Sequence, residues 1–139
     1  MPKVLLDTDI FSEILKNVDR RVVRRAEEHV SLEGPYAIST ITVMEIVKGL
    51  RKKAQEERIR KFVAGLATIP VLNFDESSAE LAGRISADLE SSGQPIGRAD
   101  PMVAAIALHH NLTLVTGNRS HFERIALLGY PLKLDNWRD

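Results

Sequence analysis

The chain has no cysteine. Disulfide frameworks, thiolate zinc sites and cysteine nucleophiles are therefore excluded, and any metal centre must use oxygen or imidazole donors. Net charge is also absent, with 19 Lys and Arg against 19 Asp and Glu. That balance argues against a protein whose whole surface grips a polyanion. No apolar run approaches the ~20 residues needed to cross a bilayer. The opening residues lack the apolar core and small-residue cleavage site of a signal peptide, so a cytoplasmic protein without membrane contact is expected. Low-complexity tracts and internal repeats are missing too.

What remains is an ordinary globular composition: 139 residues, 44% hydrophobic and 27% charged. A length of this order buries a real core without staples, and a single domain over residues 1–139 is expected. The zero net charge hides an uneven distribution. Residues 1–70 carry 13 Lys and Arg against 10 Asp and Glu, whereas residues 71–139 carry 6 against 9. Within the first part the bases cluster in "DRRVVRR" and "KGLRKK". Such clusters can neutralise phosphates, although by themselves they read more simply as solvated helix faces.

Apolar spacing divides the chain into alternating elements. "KVLLD" has the form of a buried strand, followed by a helix over "IFSEILKNV" with Thr8 or Asp9 available as its cap. A helix over "DRRVVRRAEEHVSL", the strand "YAIS" and a helix over "ITVMEIVKGL" come next, and then a charged helix over "QEERIRKFVAGLATI". The run "VLNF", a helix opened by Asp75 and the turn-rich "GQPIGR" lead to "ADPMVAAIALHHN", where Asp100 reads as the cap and Pro101 as the first helical residue. "LTLVT" is a strand, "NRSHFERIALLG" a last helix and "PLKL" a possible edge strand. This order predicts an α/β fold with a mainly parallel central sheet of four to five strands flanked by helices on both faces.

In such a sheet, groups at the carboxyl ends of strands or at the starts of the following helices converge on one cleft. Asp7 ends the first strand, Glu45 lies in the opening turns of the helix after "YAIS", Asp100 begins the helix after the turn-rich connection, and Asn118 follows "LVT". Carboxylates brought together raise one another's pKa unless a cation neutralises them. Mg2+ or Mn2+ suits such oxygen donors. Each residue also has a structural reading. Asp7 can receive backbone N–H groups of the following turn, Asp9 can cap a helix, Glu45 lies off the main apolar stripe as an exposed glutamate would, and Asp100 can cap. Adjacent His109 and His110 point about 100° apart on a helix and read as helix-end residues. Arg98 and Arg119 flank the acid-bearing segments and can hold substrate phosphate. Trp137 is expected to pin the end of the chain to the body.

"VLLDTDIFSEIL", "ISTITVMEIVKGL", "GQPIGRADPMVAAIAL" and "LTLVTGNRSHFERI", in this order and spacing, resemble the PIN-domain ribonucleases, particularly the VapC-type toxins of bacterial type II toxin–antitoxin pairs. The resemblance spans nearly the whole chain and implies a three-layer PIN-like fold. It implies that Asp7, Glu45 and Asp100 are the acidic metal ligands, with Thr8, Asp9 and Thr116 as their outer partners. Many family members have a further acid after the "LVT" strand, where this chain offers Asn118 and His121. Asn118 can bind a cation or its water through the amide oxygen, and His121 can contact substrate or donate a proton.

The implied activity is Mg2+- or Mn2+-dependent endoribonuclease cleavage of structured RNA, such as tRNA or rRNA, leaving 5′-phosphate and 3′-hydroxyl ends. Basic residues including Lys48, with Arg98, Arg119 and His121, would contact the RNA. A homodimer and a cognate antitoxin that blocks the cleft are implied as well. Two rival readings stand beside this one. "DTD" also satisfies the first part of the haloacid-dehalogenase-type phosphatase signature, with Asp7 as nucleophile and Asp9 as acid, but Phe11 and the missing downstream motifs speak against it. Loss of the fourth acid is compatible with an inactive PIN-like binding module.

Overall fold

The structure is a computed structural model that describes residues 1–139. Its elements follow in the order β1 (Val4–Leu6), α1 (Thr8–Lys16), α2 (Arg20–Glu33), β2 (Ile38–Ser39), α3 (Thr40–Lys52) and α4 (Glu56–Gly65). After a 3-10 turn at Leu66–Thr68 come β3 (Val71–Leu72), α5 (Glu76–Ser91), α6 (Ala99–His109), β4 (Thr113–Val115), α7 (Arg119–Leu127) and β5 (Leu134–Asp135). No helix is long and apolar enough to cross a membrane.

All strand pairings are parallel. β1 pairs with β4 and β4 with β5, forming a three-stranded sheet, while β2 pairs with β3 separately. The expected sheet of four to five strands is therefore drawn as three plus two. A single bridge between Leu5 and Ala37 joins the parts, with Leu6 N–H donating to Ala37 O at 2.9 Å and Ala37 N–H to Val4 O at 3.0 Å. Across that bridge the spatial order is β3-β2-β1-β4-β5. The chain runs outward from β1 to β3 on one side and returns on the other with β4 and β5. β1 and β4 thus flank the point where the winding reverses, the place in open parallel sheets where a crevice forms beyond the strand ends.

Successive strand residues face opposite sides, as a period of two requires. Leu5 and Leu114 pack with Ile85, Leu89, Ile106, Phe122 and Ile125 on one face. Val4, Leu6 and Val115 pack with Ile10, Phe11, Val22 and Trp137 on the other. α3 serves both layers, through Ile41 to the first and Ile46 to the second. α6 is nearly engulfed: Val103, Ala104, Ala105, Ile106 and Ala107 are all buried, as its all-round apolar sequence requires. Trp137 is buried beside His29 and Tyr36, as expected of a residue that pins the end of the chain.

Two helix starts differ from expectation. α1 is capped by Asp7, in extended backbone conformation, rather than by Thr8 or Asp9, which are its first two helical residues. α6 begins at Ala99, with Arg98 in the cap position and no side-chain capping bond, so Asp100 is not a cap and Pro101 is the third helical residue. Proline is tolerated there because the N–H groups of the first turn have no partner within the helix.

Leu5 is fully buried on the central strand, whereas Leu127 is 86% exposed. Leu5→Ala is expected to lower the unfolding free energy by about 2–5 kcal/mol. Leu127→Ala should change it by no more than about 0.5 kcal/mol. Urea unfolding followed by the fluorescence of Trp137 measures both.

Candidate active site

The site is built at the ends of β1 and β4. Pairing of these strands continues one residue beyond β1, where the Asp7 N–H donates to Val115 O at 2.9 Å. The Asp7 side chain is consequently held in the crevice and is only 9% exposed. Its Oδ1 accepts from the Thr8 N–H at 2.9 Å and its Oδ2 from the Thr116 hydroxyl at 2.8 Å. No lysine or arginine contacts it. Burial first, and then the charge of Asp9, push its carboxyl from an ordinary 3.8 up to about 7, with Asp100 adding to the effect; the bonds from Thr116 and Thr8 pull the other way.

Asp9 is half-buried and locked by two backbone groups, with Oδ1 accepting from Ile10 N–H at 2.8 Å and Oδ2 from Gly117 N–H at 2.9 Å. Its pKa is raised, chiefly by burial, against the Gly117 bond and the nearby Arg138 guanidinium. Asp100, freed from capping, lies 3.0 Å from His121 Nδ1 through its Oδ2. The same ring nitrogen lies 2.9 Å from the Asn118 side-chain amide. One nitrogen cannot both donate and accept with a single proton. When Asp100 is ionised, Nδ1 carries the proton, and the Asn118 amide then turns its oxygen toward the ring.

Glu45 enters through Thr8. The Thr8 hydroxyl donates to Glu45 Oε1 at 2.5 Å and stands 2.9 Å from the Thr42 hydroxyl. Because the single Thr8 proton goes to Glu45, Thr42 donates to Thr8. Glu45 is half-buried, not exposed as its helical-wheel position suggests. Thr42 is fully buried, with its N–H bonded to the capping hydroxyl of Ser39.

The structure thus gathers Asp7, Asp9 and Asp100 closely enough for their charges to act on one another, with Thr116, Asn118 and His121 beside them and Glu45 attached through Thr8. It does not form a finished ligand set: no three Asp, Glu or His side chains are spaced to hold an ion together. Lys48, Arg98 and Arg119 are exposed and unpaired with the site acids. Arg119 faces Glu123 at 3.8 Å and Asp139 at 3.9 Å. Beside Thr8 and Glu45 opens a groove of about 710 Å³ between α1, α3 and α4, edged by Lys16, Lys53, Arg58 and Lys61.

Three contributors escape a reading of the sequence. Thr42 stands three residues before Glu45, a spacing that shares a helix face and was a usable signal. Gly117 and Arg138 gave none, since their roles arise from contacts between distant segments.

The PIN domain family model matches residues 4–128. The chain is 33% identical over 138 residues to the tRNA(fMet)-specific endonuclease VapC of Shigella flexneri, covering 99% of both proteins. It is 31% identical over 138 residues to Ribonuclease VapC2 of Haemophilus influenzae, again with 99% of each covered. Among solved structures, DNA-bound VapBC from Salmonella typhimurium superposes with a TM-score of 0.82 at 32% identity over 99% of each chain. A family match across most of the chain, joined to relatives of this identity along almost all of it, makes the protein a member of the PIN-domain family, within its VapC group.

Proposed function

We propose that this protein is a divalent-metal-dependent endoribonuclease and the toxin of a toxin–antitoxin pair, acting on structured RNA in the cytoplasm. The observation that carries the reading is the buried Asp7 carboxyl, which has acidic neighbours and no cation from the chain beside it. Oxygen donors short of positive charge fit a hard divalent ion. Asp7, Glu45 and Asp100 are the residues to hold Mg2+ or Mn2+, with waters completing the shell. When bound, such an ion supplies charge neutralisation at the scissile phosphate and a more acidic water for in-line attack.

The chain's own residues set the geometry. Thr116 and the Thr8 N–H fix the two oxygens of Asp7, and the Thr8 hydroxyl orients Glu45. Asp100 fixes the His121 ring at Nδ1, leaving Nε2 to accept from a water or an RNA hydroxyl while the ring is neutral and to donate to a phosphate once it is protonated. The second lone pair of the Asn118 amide oxygen is left for a water in place of a fourth acid. Lys48, Arg98 and Arg119 lie exposed for the RNA backbone, and the basic edge of the groove suits a polyanion. The relatives' names support RNA as substrate, and the Shigella protein's name supports tRNA. The solved VapBC pair supports a cognate antitoxin as partner, and the family resemblance supports a homodimer. The phosphatase reading is set aside by the family match, and Asp9, with an oxygen bound to each of two backbone N–H groups, is poorly placed as a general acid.

Purified free of any partner, the protein is expected to cleave total RNA with Mg2+ or Mn2+, and EDTA should stop it. Asp100→Asn should cost more than the ~10–100-fold that loss of an outer partner of a metal site costs. No cleavage by the wild type with either ion would favour a binding module instead.

The Asp7 shift gives a second test, in protein kept metal-free with EDTA. With a folded pKa of about 7 against an ordinary 3.8, the folded state holds a proton that the unfolded state releases. This contribution to stability is complete below about pH 4 and lost as pH rises through 7. Asp7→Asn is therefore expected to melt higher than the wild type at pH 8, with the gap closing toward pH 5. Adding Mn2+ at pH 8 should raise the melting temperature of the wild type more than that of Asp7→Asn.

A further inference from the structure

The segment after β5 reaches back to the acid site by a fixed route. β4 and β5 are paired to their ends, with the Thr116 N–H donating to Asp135 O at 2.9 Å. Asn136 then turns the chain, its Oδ1 accepting from the Arg138 N–H at 3.0 Å, and Trp137 is sunk in the core between these two residues. Arg25 steadies the turn through Asp135 at 3.3 Å. The Arg138 side chain, partly exposed, faces two acids of α1. Its Nη1 lies 3.8 Å from Asp9 Oδ2 and its Nη2 3.9 Å from Glu13 Oε1.

Gly117 makes room for this arrangement. A Cβ at that position would stand 2.6 Å from Asp9 Oδ2 and 2.7 Å from Arg138 Nη1, closer than real Cβ contacts come. The backbone of Gly117 has no positive φ, so what opposes a larger residue there is the ends of the Asp9 and Arg138 side chains, which it would push aside. Its N–H donates to the same Asp9 oxygen that faces Arg138. The neighbouring Thr116 bonds Asp7, and Asn118 bonds Thr116 through its N–H at 3.0 Å. A guanidinium, a carboxylate and a bare backbone are stacked at the root of the loop that carries the site.

We propose that Arg138 is a positioning residue: with Gly117 it clamps Asp9, and so holds the Thr116–Asn118 loop and the Asp7 carboxyl in register. Arg138 touches neither Asp7, Glu45 nor Asp100 and acts through Asp9. Arginine suits the task because its rigid fork spans Asp9 and Glu13 together, whereas lysine presents a single point of charge. The consequence for catalysis rests on the nuclease reading; the clamp itself does not.

The test uses the full chain and reads two properties. The first is amide hydrogen exchange at Gly117, measured by NMR without RNA. Arg138→Ala should speed it by roughly 10-fold or more, Gly117→Ala should speed exchange at Asn118 similarly, and Arg138→Lys should fall between Arg138→Ala and the wild type. The second is RNA cleavage with Mn2+, where Arg138→Ala should lower kcat by ~10–100-fold, as loss of an outer partner does, and leave KM within about twofold. Unchanged exchange at Gly117 would overturn the clamp even if the wild type proves not to cut RNA. A raised KM with kcat retained would assign Arg138 to RNA phosphate and overturn the positioning role. A lowered melting temperature with exchange at Gly117 and kcat unchanged would reduce Arg138 to general stability and overturn that role as well. Should Arg138→Ala fail to fold, Gly117→Ala and Arg138→Lys carry both readouts.

Discussion

The carboxyl of Asp7 leaves the central strand at the point where the winding of the sheet reverses, and no lysine or arginine contacts it there. A carboxylate so placed is costly in the folded state, because burial and acidic neighbours both favour its neutral form. The surrounding structure holds it nonetheless, through a backbone N–H on one oxygen and a hydroxyl on the other. Such an arrangement lowers stability once the carboxyl is ionised. It also calls for a hydroxyl residue at position 116.

The rest of the fold serves to keep that crevice shaped. Strand residues alternate between two packed layers, so β1 and β4 cannot slip in register without exposing Leu5 or Leu114. α6, buried along nearly its whole length, sets the depth at which Asp100 meets His121. α3 bridges both layers and brings Glu45 to Thr8. The groove beside Glu45 stays open and basic-edged.

Much of this was legible from residue patterns, and for physical reasons. An acid closing an apolar strand stands out because burial forbids it without a role, and parallel-sheet geometry then links Asp7 to Asp100 and Glu45 across the sequence. Local choices were harder. Thr8, Asp9 and Asp7 are all plausible caps, and only the pairing of Asp7 with Val115 decides which one leaves the sheet. Pro101 suggests a first helical position, yet the first turn of α6 admits it at the third. Glu45 looks exposed on a wheel because the wheel shows one helix, whereas its burial comes from Thr8 on another element. Arg138 and Gly117 belong to the same class: their contacts with Asp9, at the other end of the chain, leave no mark in local spacing.

The assignment of Asp7, Glu45 and Asp100 as ligands of a divalent ion is the claim on which the functional reading turns. Anomalous diffraction from crystals grown with Mn2+ tests it most directly, since it locates the ion without recourse to activity. The expected result is a peak in the crevice between the ends of β1 and β4, bonded to oxygens of Asp7 and Asp100, with Glu45 joined directly or through water. A crevice without a peak, or manganese bound elsewhere while Asp7 keeps only its bonds to Thr8 and Thr116, would contradict it.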